Sequence, residues 1–149
     1  MVIIIGADHA GFELKEKLRQ KLENQGYQVQ DVGAYEYRKE DDYPDFAAAV
    51  GRAVAGEPGS RGILVCGSGV GASIAANKIN GVRACLCHDI YSAVQGVEHD
   101  DMNVICLGGL IVGEALAIKL VDGFLGAEFF GSGRYLRRLE KVIALESSG

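Results

Sequence analysis

The sequence predicts an α/β protein: a three-layer αβα, Rossmann-like fold built on a five-stranded parallel sheet. Three observations lead there. Short apolar runs alternate with amphipathic stretches along the chain. The runs, such as Val2-Ile3-Ile4-Ile5 and Ile63-Leu64-Val65-Cys66, are continuously apolar, as strands covered on both faces must be. The 21 glycines follow no collagen-like period and so mark tight turns and close backbone approaches.

Taken in order, Val2 to Ile5 reads as a buried strand. Phe12, Leu14, Leu18 and Leu22 then recur at helical spacing, and Gly26 stops that helix. Tyr27 to Val32 is a second strand. Pro44 opens a helix through Phe46, Val50 and Val54, which Gly56-Glu57-Pro58-Gly59 ends. Gly62 to Cys66 is a third strand, followed by a glycine-rich loop and a helix through Ile74 to Ile79. Val82 to Cys87 is a fourth strand, with a helix from about Ile90. Asn103 to Leu107 is the fifth strand, and Val112 to Leu125 a long helix. A last helix, about 134–145, carries a charged face and a frayed tail, 146–149. No linker, repeat or low-complexity segment interrupts this order. The 149 residues are expected to form one domain, long enough to bury a core of its own.

Composition narrows the partners. A net charge of −5 provides no general attraction to nucleic acid or anionic lipid. It still allows a small anion, because a local cluster of arginines binds phosphate whatever the net charge. Cys66, Cys85, Cys87 and Cys106 form no C-x-x-C pair, so reduced thiols are expected rather than a disulfide framework or a zinc site. The first residues lack the basic region and length of a signal peptide. No apolar run reaches the ~20 residues that span a bilayer. A cytoplasmic protein without membrane or nucleic-acid partners is expected.

In a parallel sheet covered by helices, ligands bind beyond the carboxyl ends of the strands. Candidate residues should therefore follow strands. Asp8 and His9 do so, within Gly6-Ala7-Asp8-His9-Ala10-Gly11, although Asp8 could equally cap the next helix. After the third strand comes Cys66-Gly67-Ser68-Gly69-Val70-Gly71, opening a helix. Free backbone N–H groups and the helix dipole favour an anion there. Negative charge on a sulfur is stabilised in such a field. A thiolate can act as a base on carbon, and loop amides can hold the oxyanion that forms. The plainer alternative for Cys66 is a packed strand-end thiol. Gly67, Gly69 and Ala72 also fit the dinucleotide fingerprint G-x-G-x-x-G/A, with Asp89 downstream, but the loop follows the third strand and the chain has no room for a second domain.

His99, Asp100, Asp101 and Asn103 cluster just before the fifth strand. A histidine there can move protons near neutral pH, or the cluster can simply cap a helix end. Adjacent acids rarely converge on one ion, so no metal is expected, and no cofactor either. Arg134 and Arg138, four apart, share one helix face and suit a phosphate dianion, unless they merely make a solvated basic face. His88 and Asp89 follow the fourth strand and are given no role. Cys85, Cys87 and Cys106 read as strand packing.

Taken together, Asp8-His9, Asp42-Tyr43-Pro44-Asp45, Cys66 to Gly71 with Ser73-Ile74-Ala75-Ala76-Asn77-Lys78, Gly81-Val82-Arg83-Ala84 and His99 to Asn103 make the chain resemble the type B ribose-5-phosphate isomerases and their galactose- and allose-6-phosphate relatives. The likeness runs from Gly6 to the Gly133-Arg134 region. It implies an aldose–ketose isomerase without cofactor, acting on a small sugar phosphate through an enediolate. It also implies a homodimer or homotetramer whose active site is shared between subunits. Cys66 is implied as the base, since some relatives use a Glu at the position that is Ala72 here. Ser68 and the backbone of Gly67, Gly69 and Gly71 are implied to hold the enediolate. His99, supplied by the neighbouring subunit, opens the sugar ring, and Asp8 binds hydroxyls. Tyr43 shapes the pocket, and His9, Arg134 and Arg138 hold phosphate. Asp100 and Asn103 are expected to meet substrate beside His99. Three positions differ from the usual family pattern: Asp100 stands where Asn is common, Leu110 where an Arg is common, and Tyr135 where His is usual, after a longer Gly131-Ser132-Gly133 turn. These differences imply a weaker hold on phosphate or a different sugar.

Overall fold

The computed structural model describes residues 1–148. Five strands form one sheet: β1 Val2–Ala7, β2 Gln28–Asp31, β3 Arg61–Cys66, β4 Ala84–Leu86 and β5 Val104–Gly108. All pair in parallel, in the order β2-β1-β3-β5-β4. The helices are α1 Phe12–Asn24, α2 Tyr43–Gly56, α3 Val70–Ala76, α4 Ile90–Asp100, α5 Glu114–Gly126 and α6 Gly133–Ala144. This is the expected three-layer parallel architecture.

Side chains alternate strictly across the sheet. Ile3, Ile5, Ile63, Val65, Ile105 and Leu107 pack against Leu14, Leu18 and Leu22 of α1, Ala93 and Val97 of α4, and Leu120 and Phe124 of α5. The intervening Ile4, Leu64, Cys66, Val104 and Cys106 face Ala47, Val50 and Val54 of α2 and Ala72 and Ala76 of α3. Cys66 therefore points towards the α2–α3 layer. From β1 the chain first adds β2 on one side, then crosses to place β3 on the other. The crevice between the carboxyl ends of β1 and β3 is the point where the winding reverses, the preferred ligand position in open α/β sheets.

Two elements are shorter than their apolar runs. β4 spans Ala84–Leu86 instead of Val82 to Cys87. It is an edge strand, and side chains take over part of its pairing. Asn77 Nδ2 donates to Ala84 O and Asn77 Oδ1 accepts from Ala84 N, both at 2.8 Å, while Asn103 Oδ1 accepts from Arg83 N at 2.7 Å. α3 ends at Ala76, not Ile79, because Asn77 is drawn to β4 and the chain turns through Lys78 and Ile79. At the C-terminus, where a frayed tail was expected, Leu145–Ser147 forms a 3₁₀ turn, and Glu146 accepts from Gly81 N at 2.8 Å. Gly149 lies outside the described residues.

One buried charge ties α1 to the sheet edge. Lys15 is fully buried, and its Nζ lies 2.9 Å from Asp31 and 3.0 Å from Glu16. It also donates to Ala34 O. Removing one partner of such a pair leaves a poorly solvated charge behind. Lys15→Ala should therefore destabilise the fold by about 3 kcal/mol, read from urea unfolding midpoints, with Lys15→Met losing less because it keeps the buried stem.

Candidate active site

The carboxyl end of the sheet collects most of the chemistry-bearing residues. β3 ends at Cys66, whose side chain is 5% exposed. The chain then turns sharply through Gly67, Ser68 and Gly69 into α3. Gly69 sits at φ +83°, where an L side chain is strained, and a Cβ there would lie 2.5 Å from Leu86 Cδ1. The turn folds the Gly69 N–H back onto the Cys66 sulfur at 3.2 Å. Ser68 Oγ accepts from Val70 N at 3.2 Å and is exposed. Gly109 N donates to Cys66 O at 2.8 Å, and Leu110 N to Gly67 O at 3.0 Å, so the loop after β5 braces the turn. His88 Nε2 accepts from Gly108 N at 3.0 Å, steadying the same loop from β4. Sequence reasoning gave His88 no role, and nothing in its immediate neighbours signals this one.

Tyr43, the first residue of α2, lies over Gly71: a Cβ at Gly71 would come 2.6 Å from its ring. Only a bare backbone allows that approach. Tyr43 is exposed and stands at the rim of the Gly67–Gly71 turn.

Asp8 and His9 leave β1 on the other side of the crevice. Asp8 is 5% exposed and accepts from Gly11 N at 3.1 Å. Burial raises its carboxyl above the ordinary range, opposed mainly by that N–H. His9 is gripped by Asp41, a residue outside the sequence expectations. Asp41 Oδ1 accepts from the His9 backbone N–H at 2.9 Å and lies 2.7 Å from His9 Nδ1. This hydrogen bond to Asp41 is the chief cause that raises the imidazole above its usual value. One Asp8 oxygen, one His9 ring nitrogen and one Asp41 oxygen all lie within 4.8 Å of one another. The 2.7 Å Nδ1–Oδ1 separation is that of a charge-assisted hydrogen bond. Two ligand atoms bridged by a metal at its usual bond lengths stand about 3 Å or more apart.

The other predicted residues lie elsewhere. α4 starts beside the carboxyl end of β4 and runs back, so His99 and Asp100 close it at the amino end of the sheet. There Arg83 Nη2 meets Asp101 at 3.1 Å, and Phe130 N donates to Glu98 O. The His99 ring packs 4.7 Å from Tyr135 and 5.5 Å from Phe130. Arg134 lies over the Tyr135 ring and donates to its hydroxyl at 2.8 Å. Arg138 follows one turn on, exposed, as is Asp100. Between this group and Cys66 stands the length of β3, six residues or roughly 17 Å. Asp8, His9, Tyr43, Cys66, Gly67, Ser68, Gly69 and Gly71 thus form one group, and His99, Asp100, Arg134 and Arg138 another.

Asn103 Oδ1 accepts from Arg83 N at 2.7 Å and its Nδ2 donates to Gly81 O at 2.9 Å, so this side chain braces the approach to β4.

Comparison with known proteins bears on what the two groups do. Residues 3–142 match the model of a family described as Ribose/Galactose Isomerase. The chain is 44% identical over 144 residues to ribose-5-phosphate isomerase B of Escherichia coli (strain K12), covering 97% of this chain and 95% of the relative. It is 38% identical over 148 residues to D-erythrulose-4-phosphate isomerase 2 of Mycolicibacterium smegmatis, covering 98% and 97%. Among solved structures, ribose-5-phosphate isomerase B from Mycoplasma genitalium with bound ribulose-5-phosphate superimposes with a TM-score of 0.94 at 40% identity, covering 99% of this chain and 97% of that one.

The turn at Gly69 is the local feature on which the Cys66 environment rests. Gly69→Ala should destabilise the protein by about 2 kcal/mol, measured by thermal or urea unfolding, because both the positive φ and Leu86 oppose a side chain.

Proposed function

The chain belongs to the ribose/galactose isomerase family, and from that premise we propose that it interconverts ribose 5-phosphate and ribulose 5-phosphate through an enediolate, with Cys66 as the base. The observation that carries the reading is the Gly69 N–H held 3.2 Å from the Cys66 sulfur, in the glycine turn that opens α3.

The reaction moves one proton between adjacent carbons. The Cys66 thiolate takes the proton from C2 of the open-chain aldose phosphate. The freed electron pair becomes the C1–C2 double bond, and the carbonyl oxygen takes up negative charge. Ser68 and the backbone N–H groups of Gly67 and Gly71 hold that oxygen, where fixed dipoles need no reorganisation, while the Gly69 N–H stays on the sulfur. Return of the proton from sulfur to C1, with a proton shift between the two oxygens, completes the ketose. Asp8, whose raised carboxyl favours the protonated form more than an ordinary aspartate does, hydrogen-bonds sugar hydroxyls. His9, whose imidazole Asp41 keeps in favour of the cation, binds phosphate. Tyr43 closes the rim.

Ring opening needs a proton donor and acceptor at the ring oxygen. His99 takes that role, and the length of β3 lies between it and the Cys66 of its own chain. The site is therefore assembled from two copies: one contributes Cys66 and its crevice, the other His99 with Asp100, Arg134 and Arg138. A closed two-fold dimer makes two such sites; a tetramer can be built from such dimers. The substrate is a water-soluble metabolite, and among the described residues no helix is long and apolar enough to cross a membrane. Free cysteines without a disulfide suit the cytoplasm.

A coupled assay on ribose 5-phosphate, six-carbon aldose 6-phosphates and D-erythrulose 4-phosphate tests the substrate; the highest kcat/KM is expected on ribose 5-phosphate. Cys66→Ala should lower kcat by about a thousandfold or more, and activity near wild type in that variant removes Cys66 as base. Mixing Cys66→Ala with His99→Asn chains after subunit exchange should restore about one quarter of wild-type activity, since half the dimers are mixed and each carries one intact site of two. No recovery on mixing would place both residues in the same chain's site.

A further inference from the structure

We propose that Asp41 is a positioning residue for His9, holding its ring so that the Nε2–H alone is presented to the phosphate of the substrate. This rests on the sugar-phosphate reading above and adds to it a residue that touches no substrate.

The geometry is unusual in placing two donors of one residue on one oxygen. Asp41 Oδ1 takes both the backbone N–H and Nδ1 of His9, at 2.9 and 2.7 Å. Backbone and ring are thus locked by the same atom, across 32 residues of sequence. The other oxygen, Asp41 Oδ2, is buried and has no hydrogen-bond partner among the described residues. A buried carboxylate oxygen without a partner is unfavourable unless positive charge stands close by. The groups facing His9 are Asp41 from the loop before α2, Asp8 from its own loop, and the edge-on Tyr37 ring at 6.1 Å. Of these three, two are acids and neither they nor Tyr37 supplies a cation. The imidazolium of His9 is the cation that answers both carboxylates.

An imidazolium with Nδ1 held has one ring N–H left. Nε2 makes no hydrogen bond among the described residues, and the side chain is 29% exposed. Asp41 therefore does three things for a phosphate-binding histidine. It selects the donor nitrogen, keeps the charge, and removes the rotational freedom that binding would otherwise have to freeze. Its backbone N–H is itself fixed on Arg38 O at 3.1 Å, and two residues later Tyr43 begins α2. The segment that aims His9 also places the tyrosine at the rim.

The test joins kinetics to a direct titration. In the ligand-free wild-type protein, nitrogen-detected NMR should show His9 titrating above the ordinary imidazole value of about 6.5, with Nδ1 protonated throughout. In Asp41→Asn, which keeps the shape and loses the charge, the midpoint should fall. KM for ribose 5-phosphate should rise about tenfold with kcat changed less than about threefold. The rise of KM with increasing pH should begin at lower pH than in wild type, because the imidazolium is lost earlier. The double variant His9→Gln with Asp41→Asn should be no worse than His9→Gln alone. A wild-type His9 that titrates at or below the ordinary value overturns the proposal, and so does a double variant whose losses add. Absence of turnover by the wild type counts against the isomerase reading instead, and Asp41 then stands or falls on the His9 titration.

Discussion

A strand buried on both faces can carry polar side chains only at its ends. That constraint organises this molecule. Ile3 to Ile5, Ile63 to Val65 and Val104 to Leu107 give up every side chain to one apolar layer or the other. Chemistry is consequently displaced to the two rims of the sheet. At the carboxyl rim, helices begin and loop amides point outward, so the local field favours anions. At the amino rim, helices end, and α4 delivers His99 among aromatic rings and arginines.

The two rims differ in how they hold their residues. At the carboxyl rim backbone N–H groups do the holding: Gly69 on Cys66, Gly109 and Leu110 on the Cys66 and Gly67 carbonyls, Gly108 on His88. Asp8, His9 and Asp41 lie together there, with Asp41 hydrogen-bonded to His9 beside a buried Asp8. The amino rim relies on side-chain stacking of His99, Phe130, Tyr135 and Arg134. Within that stack Phe130 and Arg134 are exposed, while His99 and Tyr135 are half-buried. Distance along β3 separates the two sets within the chain.

The strand-end positions of Cys66, Asp8 and His9 were legible because their signals are local. Cys66 ends an apolar run and precedes Gly-Ser-Gly-Val-Gly, and Asp8-His9 follows another run. In both places the meaning comes from the strand end itself. The hydrogen bonds of Asn103 to Gly81 and Arg83 left no mark in the sequence, because those partners lie some twenty residues away. Asp41 was missed for the same physical reason: it looks like one acid among several before Pro44, and its partner is 32 residues off. The true ends of α3 and β4 depended on Asn77, a polar residue whose long-range hydrogen bonds leave no mark in hydropathy.

The amino-acid order alone determined the alternation of strands and helices, the parallel sheet with both faces covered, and the placing of Cys66, Asp8 and His9 at strand ends. These follow from apolar periodicity and glycine position, which act over a few residues. Only the tertiary structure decided the strand order, the crevice between β1 and β3, the grip of Asp41 on His9 and the separation of His99 from Cys66. Those depend on which distant segments meet once the core has closed, and short-range pattern has no term for them.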